Sequence, residues 1–265
     1  MKDKVVIITG ASSGIGRALA LECSRRGARL VLGSRNLEKL EELKSLIPGP
    51  VKILRTDVTR ESDCKSLVDA AVQEFGQVDV MINNAGISMR ALFAEVEPDV
   101  IRRIMDTNFW GTVYCSKHAF PHLLRSRGSL VGISSIVGIK GLPGRSGYAA
   151  SKFAMQGLLE VIRIENLKKG LHVLIACPGF TTSNIRNIAL SKDGSSQGES
   201  PLDESKLMSA EDAARKIARA IVLRKRTLTL TAEGKLTVFL DKFVPSLMDR
   251  IIYNHMAKEP NSPLE

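Results

Sequence analysis

The 265-residue chain has little of what marks a specialised chemistry. Its four cysteines, Cys23, Cys64, Cys115 and Cys177, lie far apart with no Cys-x-x-Cys pair. That argues against a disulfide framework or a thiolate zinc site and for a reducing compartment, the cytosol. Of the four histidines, His118 and His122 stand four apart. No glutamate pattern lies between them and no third ligand is in view, so no metal is expected and packing or a subunit contact is the plainer role. Trp110 is the single tryptophan and is expected in the core. Aromatic residues make up 5% of the chain, which leaves few stacking platforms for nucleic acid, and no nucleic-acid-binding motif is present. No apolar run reaches about 18 residues, so no membrane-spanning helix is expected. A strand-like run begins at Val5 and leaves no room for a targeting peptide ahead of it. No repeat of 20–50 residues is present, which excludes a solenoid. Acidic residues are the scarcer sign, 28 against 38 basic, for a formal charge of +10. Nucleic acid, a membrane surface and an anionic ligand are the partners such an excess could serve.

What is present is alternation. Short apolar runs rich in Val and Ile fall at 5–8, 30–32, 51–54, 78–82, 130–133 and 173–176, with helical patterns near 15–27, 36–47, 61–75, 98–126 and 148–169. Runs of that kind read as strands covered on both faces, and the alternation predicts an α/β domain with a doubly wound parallel sheet. The stretch 183–208, polar over Ser191–Gly198, reads as a mobile insertion, a lid over a site, or else a plain surface loop. Ser209-Ala210-Glu211-Asp212 resembles a capping box that opens a helix, with Arg224, Lys225 and Arg226 in its last turn. Residues 235–257 carry apolar side chains at helical spacing, interrupted at Pro245, with Lys235, Lys242, Arg250 and Lys258 beside them. A packed C-terminal helix, a subunit interface and a membrane-surface patch all fit that pattern.

Gly10-Ala11-Ser12-Ser13-Gly14-Ile15-Gly16 follows the first strand and opens the first helix. Glycines there permit a tight turn, and free N–H groups at a helix N-terminus favour a pyrophosphate. The same residues read as a G-x-S-x-G nucleophile elbow, but no earlier strand–helix loop and no HGGG-like stretch supplies a second oxyanion donor, so a hydrolase is set aside. At the end of the second strand, where an acidic residue would hold the ribose of NAD, stands Arg35 in Gly33-Ser34-Arg35-Asn36. A guanidinium there suits a 2′-phosphate, though a solvated arginine opening a helix is the plain alternative. Tyr148 and Lys152 lie four apart, on one helix face, where a cation can lower the phenol's pKa. Alone, that pair also fits a surface tyrosine beside a surface lysine. Ser134-Ser135, Asn83-Asn84-Ala85-Gly86 and Pro178-Gly179 all follow strands at the edge where α/β sheets bind ligands.

Taken together, these motifs resemble the short-chain dehydrogenase/reductase family over roughly residues 4–185. Thr9–Gly16 is similar to its TGxxxGxG motif, Asn83–Gly86 to its NNAG, and Tyr148-x-x-x-Lys152 to its YxxxK, with Ser135 13 residues before Tyr148. Asn108, Asp57-Val58 and Pro178-Gly179 match further family positions. The resemblance implies one Rossmann-type domain over 1–232 with a sheet of about seven strands, a substrate loop at 180–208 and a helical extension at 233–265. It implies an NADP(H)-dependent oxidoreductase, with NADP(H) favoured over NAD(H), moving a hydride between the nicotinamide and a carbonyl or secondary alcohol. Tyr148 would be acid or base, Lys152 would lower its pKa and bond the ribose, Ser135 would hold the substrate oxygen, and Asn108 would hold a water. Gly10, Ser12, Ser13, Gly14, Ile15, Gly16, Arg35, Asp57, Val58, Asn84, Ala85, Gly86, Pro178, Gly179, Thr181 and Ser183 would join Tyr148 and Lys152 in holding the cofactor. Ser13 replaces a basic residue common in NADP-preferring members, which leaves the preference to Arg35. Ser183 stands where Thr is usual, with Thr182 as competitor. A lipid-like substrate, membrane-surface contact through the C-terminal stretch, and a homo-dimer or homo-tetramer are further expectations; nucleic acid is not expected. A basic nucleic-acid-binding protein and a catalytically silent scaffold are the competing classes.

Overall fold

The computed structural model describes residues 1–198, 203, 207–259 and 262–264. Seven parallel strands form one sheet: β1 (Val5–Thr9), β2 (Arg29–Ser34), β3 (Val51–Arg55), β4 (Val80–Asn83), β5 (Ser129–Ile133), β6 (His172–Cys177) and β7 (Thr227–Thr229), in the order β3-β2-β1-β4-β5-β6-β7. Alternating side chains leave the strands on opposite faces, so each face gathers its own core. Val6, Ile8, Leu30 and Leu32 pack on one side. Val5, Ile7, Val31 and Leu130 pack on the other. Against the first face lie α1 (Gly14–Arg25) and α2 (Leu37–Ser45) with α7 (Ala210–Val222). Against the second lie α3 (Glu61–Phe75), α5 (Gly111–Ser126) and α6 (Ser146–Glu165).

The expectation that every run is covered on both faces fails at β3. This strand is an edge strand, with Lys52 and Arg55 exposed and its apolar residues only half-buried. The expected single helix over 98–126 is interrupted. α4 (Pro98–Met105) leads into a π-helical turn, Asp106–Trp110, before α5 begins. Such turns commonly mark functional positions. This one carries Asn108. Trp110 is not core: it is 45% exposed, stacked on Tyr114 with ring centroids 5.7 Å apart. His118 contacts Glu61 across 3.1 Å, and no metal-ligating cluster occurs among the described residues.

Ser209 caps α7 as its sequence suggests, its Oγ accepting from the Asp212 N–H at 3.1 Å. The basic cluster, however, lies beyond that helix, which ends at Val222. Arg224 sits at φ +49° and its guanidinium donates to the carbonyls of Arg127 and Gly170 at 3.1 and 2.6 Å. It therefore ties loops at one end of the sheet instead of complementing a helix dipole. The C-terminal pattern breaks into α8 (Ala232–Asp241) and α9 (Pro245–Met256), with Pro245 opening the second helix. Lys140 pins both, reaching Asp241 and Asp249 at 2.6 Å each. Beyond α9, Glu259 makes a buried ion pair with Arg90 at 3.4 Å. No helix among the described residues is long and apolar enough to cross a membrane.

Removing the Ser209 cap tests the helix boundary. Ser209→Ala is expected to lower unfolding stability by about 1 kcal/mol, and Ser209→Asp to retain most of it. Urea denaturation of both variants measures the difference; equal loss in both would contradict the capping assignment.

Candidate active site

The first strand ends at a knot. Thr9 Oγ1 accepts from the backbone N–H groups of Asn84 and Ala85 at 3.0 and 3.1 Å, and Asn84 Nδ2 donates to the carbonyls of Thr9 and Gly10 at 2.9 and 3.2 Å. β1 and β4 are neighbours from which the sheet winds in opposite directions, the place where doubly wound sheets open a crevice. The glycine turn sits directly on this knot. Gly10 has φ +65°, and a Cβ on it would lie 2.8 Å from the Ala85 Cα. A Cβ on Gly16 would lie 2.3 Å from the Gly10 carbonyl oxygen. Only hydrogen fits at either position.

A cavity of about 700 Å³ runs along this edge. At one end Gly10, Ser12, Ser13, Gly14 and Ile15 line it, where α1 begins with no side-chain cap from Ser13. Gly16 supports the turn from behind and is not part of the lining. Arg35, Asp57 and Val58 line the same end. Burial opposes ionisation of Asp57, but hydrogen bonds from the Thr59 N–H and hydroxyl, with the charges of Arg35 and Arg60, outweigh it and hold the carboxyl below its usual value. Asn84, Ala85 and Gly86 line the middle.

The far end gathers the other expected residues. Ser135, after β5, accepts from the Val137 N–H at 3.2 Å. Tyr148 and Lys152 descend from the first turns of α6, with the Lys152 Nζ 5.7 Å from the centre of the Tyr148 ring. Burial raises the Tyr148 pKa above its usual value, against a hydrogen bond from Ser135 and the charges of Arg145 and Arg186. Burial lowers that of Lys152 to about 8, while its ammonium donates to the Ile133 carbonyl at 2.8 Å. Asn108 is fully buried. Its Oδ1 accepts from the Ile87 N–H at 2.8 Å, and its Nδ2 donates to the Ile87 carbonyl and Ser151 Oγ at 2.9 Å each. Its side chain is thus committed to positioning the strand-to-helix segment after β4. Pro178, Gly179, Thr181 and Ser183 line the cavity opposite. Ser183 approaches Gly14 across it, Thr181 turns its hydroxyl to the Gly179 carbonyl at 3.2 Å, and Thr182 is not among the lining residues.

Sequence reasoning missed part of the lining. Arg145 and Arg186, both 7% exposed, and Ser88 border the Tyr148 end. Met248, Ile251, Ile252, His255 and Met256 of α9 close it from the C-terminal side. The apolar spacing of α9 was visible in the sequence, but which partner its inner face meets was not. The described part of the loop at 180–208 is held down: the Leu190 N–H donates to the Ser88 carbonyl at 2.9 Å and the Arg90 N–H to the Leu190 carbonyl at 2.8 Å. The polar stretch 191–198 closes on itself through Ser191, Asp193 and Ser195. Residues 199–202 and 204–206 of the expected lid lie outside the described residues.

Comparison with known proteins agrees with this geometry. The model of the short chain dehydrogenase family matches residues 4–193. "Dehydrogenase/reductase SDR family member 7B" of Bos taurus is 38% identical over 99% of this chain and 84% of its own length. "11-beta-hydroxysteroid dehydrogenase A" of Arachis hypogaea is 36% identical over 98% of this chain and 78% of its own. Among solved structures, a short chain dehydrogenase/reductase from Burkholderia phymatum in complex with NAD superposes with a TM-score of 0.82 at 24% identity, covering 93% of this chain and 95% of that one. An alcohol dehydrogenase from Thermococcus sibiricus, complexed with 5-hydroxy-NADP, gives 0.76 at 24% identity over 86% of this chain and 96% of that one.

The buried lysine gives a stability signature. Its folded pKa of about 8 lies below the ordinary 10.5, so between these values the unfolded chain binds more protons and stability rises with pH. Relative to Lys152→Met, the wild-type protein without cofactor is expected to gain on the order of 3 kcal/mol between pH 8 and 10.5. Chemical denaturation at several pH values measures the difference; a flat difference would contradict a lysine held at a desolvation cost.

Proposed function

The chain belongs to the short-chain dehydrogenase/reductase family, oxidoreductases acting between CH–OH and C=O groups, and we propose that it uses NADP(H) in preference to NAD(H), with Tyr148 as the acid in reduction and the base in oxidation. The observation that carries this reading is the single cavity that joins the glycine turn to the Ser135–Tyr148–Lys152 group.

The residues present fit a dinucleotide. The close approach allowed by Gly10 and Gly16 leaves the first turn of α1 open to a pyrophosphate, where the helix dipole and unpaired N–H groups favour negative charge. Asp57 and Val58 would meet the adenine. Arg35, just past β2 with Ser34 and Asn36 as its chain neighbours, would meet a 2′-phosphate through its planar fork. Asn84, Ala85, Gly86, Pro178, Gly179, Thr181 and Ser183 would hold the nicotinamide half. A bound nicotinamide supplies or accepts the hydride.

The proton is then the task of this chain. Ser135 holds the substrate oxygen beside the Tyr148 phenol. In reduction Tyr148 gives its proton to that oxygen; in oxidation the phenolate takes it back. Lys152, mostly charged at neutral pH given its value of about 8, places a cation beneath the ring. Asn108 keeps the segment after β4 in place beside Lys152. The complete group argues against a silent scaffold, and no nucleic-acid-binding feature accompanies the charge.

The substrate wall is apolar: Ile87, Phe180, Ile188, Met248, Ile251 and Met256 line it. Together with relatives named for hydroxysteroids, this supports a lipid-like alcohol or ketone. Leu236, Phe239, Phe243 and Leu247 expose apolar surface on α8 and α9, beside Lys235, Lys242 and Arg250, a combination suited to an anionic membrane surface. The reading is of a cytoplasmic protein that meets a membrane peripherally. Phe153, Val161 and Ile164 of α6 are exposed; a second copy of the chain covering them makes a homo-dimer or homo-tetramer.

Tyr148→Phe is expected to lower kcat by about 10²–10⁴-fold while leaving NADPH affinity nearly unchanged, because it removes only the transferable proton. Steady-state rates and NADPH fluorescence titration check both parts; near-normal turnover would overturn the acid–base assignment. Arg35→Asp is expected to reverse the preference, lowering the NADPH-to-NADH ratio of kcat/KM by at least about tenfold. Parallel assays with the two cofactors read it, and a wild-type preference for NADH would overturn the role of Arg35.

A further inference from the structure

We propose that Arg145 is a positioning residue for proton transfer: a guanidinium fixed at the start of α6, on the cavity wall, whose permanent charge draws the Tyr148 phenol toward its ionised form. The proposal deepens the acid–base reading of Tyr148 and rests on it.

Arg145 immediately precedes α6 and stands three residues before Tyr148, one helical turn away. An arginine so buried needs partners, because a desolvated guanidinium is costly. Here Nη1 donates to the Met89 carbonyl at 2.6 Å and to Ser88 Oγ at 3.4 Å. Those acceptors belong to the segment after β4, which Asn108 grips through Ile87. The side chain is therefore anchored at its backbone by one element and at its tip by another, and its charge has a fixed place relative to Tyr148.

Other groups face this region from each packed element. Lys152 shares α6 with Tyr148. Arg186 comes from the loop after β6, its Nη2 donating to the Thr181 carbonyl at 2.8 Å. Cys177, at the end of β6, is a neutral thiol pushed up to about 12, chiefly by burial. His255 of α9 lines the cavity. The Glu259 carboxylate favours the charged form of Arg145 and is itself ion-paired to Arg90 at 3.4 Å.

The cations around this phenol, Lys152, Arg145 and Arg186, differ in kind. Lys152 titrates at about 8 and loses its charge in mildly alkaline solution. A guanidinium does not titrate in the working range of a protein. Arg145 thus still favours the phenolate, against the burial that raises the Tyr148 pKa, where the lysine no longer does, which matters most for alcohol oxidation, the direction that needs a base.

The test compares charge with hydrogen bonding. Arg145→Gln keeps a donor for the Met89 carbonyl and removes the charge; Arg145→Lys keeps the charge. A nearby cation favours phenolate, so its loss raises the phenol's pKa: in Arg145→Gln the rising limb of kcat/KM for alcohol oxidation is expected to move up by about one pH unit. Arg145→Lys should restore most of that shift, and NADPH affinity should hold in both. Ultraviolet difference titration of tyrosinate, with Tyr148→Phe as blank, reads the phenol without turnover. It therefore tells the two failures apart: unaffected turnover in Tyr148→Phe would sink the acid–base reading, and with it any role of Arg145 in proton transfer, even if the phenol shifts, whereas an unmoved phenol with turnover lost in Tyr148→Phe would sink this proposal alone. Arg145→Met is a second charge-removing variant and is read the same way if Arg145→Gln does not fold. An unmoved phenol in the charge-removing variants, or equal loss of rate in Arg145→Gln and Arg145→Lys with no change in profile, would overturn the proposal.

Discussion

The architecture depends on the knot between Thr9 and Asn84. A single threonine hydroxyl and a single amide tie the ends of β1 and β4, the two strands from which the sheet winds apart. Were they to separate, the glycine turn would lose the backbone against which Gly10 and Gly16 pack, and α1 would no longer begin at the cavity. The same knot fixes where Ala85 and Gly86 stand, hence the middle of the cavity and the path toward Asn108 and Lys152. Two short polar side chains thus set the geometry of a site whose ends are distant in sequence.

Electrostatics then divides the cavity. At the α1 end, N–H groups and Arg35 offer positive potential to an anion. At the α6 end, Lys152 is desolvated enough to titrate near 8, while the buried Arg145 and Arg186 line the wall. The formal +10 of the chain is therefore partly invested at both ends of one cavity. Elsewhere it works as mechanical ties: Arg224 across two loop carbonyls and Lys140 between two aspartates. The C-terminal helices complete the arrangement, with inner residues forming the substrate wall and outer residues leaving apolar surface exposed.

Much of the fold was legible because buried parallel strands are continuous apolar runs, and because turn glycines and the Ser209 cap are local signals. The expected Tyr148, Lys152 and Ser135 converge for the same reason: each follows a strand end or opens a helix at one edge of the sheet. What escaped reading depends on neighbours. β3 has a strand's composition, but only the sheet order makes it an edge. Trp110 is apolar in type yet exposed, at the end of a π turn, Asp106–Trp110, that the periodicity over 98–126 does not signal. Arg224 lies past its helix because the chain turns at positive φ there. Arg145 was unremarkable as one cation near a helix start; its importance comes from the Met89 carbonyl, 56 positions away.

A nicotinamide bound in this cavity would share one carbon–oxygen bond with the Tyr148 phenol. Single-turnover reduction with NADPH dideuterated at C4, over a panel of neutral cyclic and open-chain ketones, measures whether it does. Stoichiometric deuterium is expected on the carbinol carbon of each alcohol formed, in the wild type and not in Tyr148→Phe. NADPH oxidation without deuterium on carbon, or equal transfer in Tyr148→Phe, would contradict it.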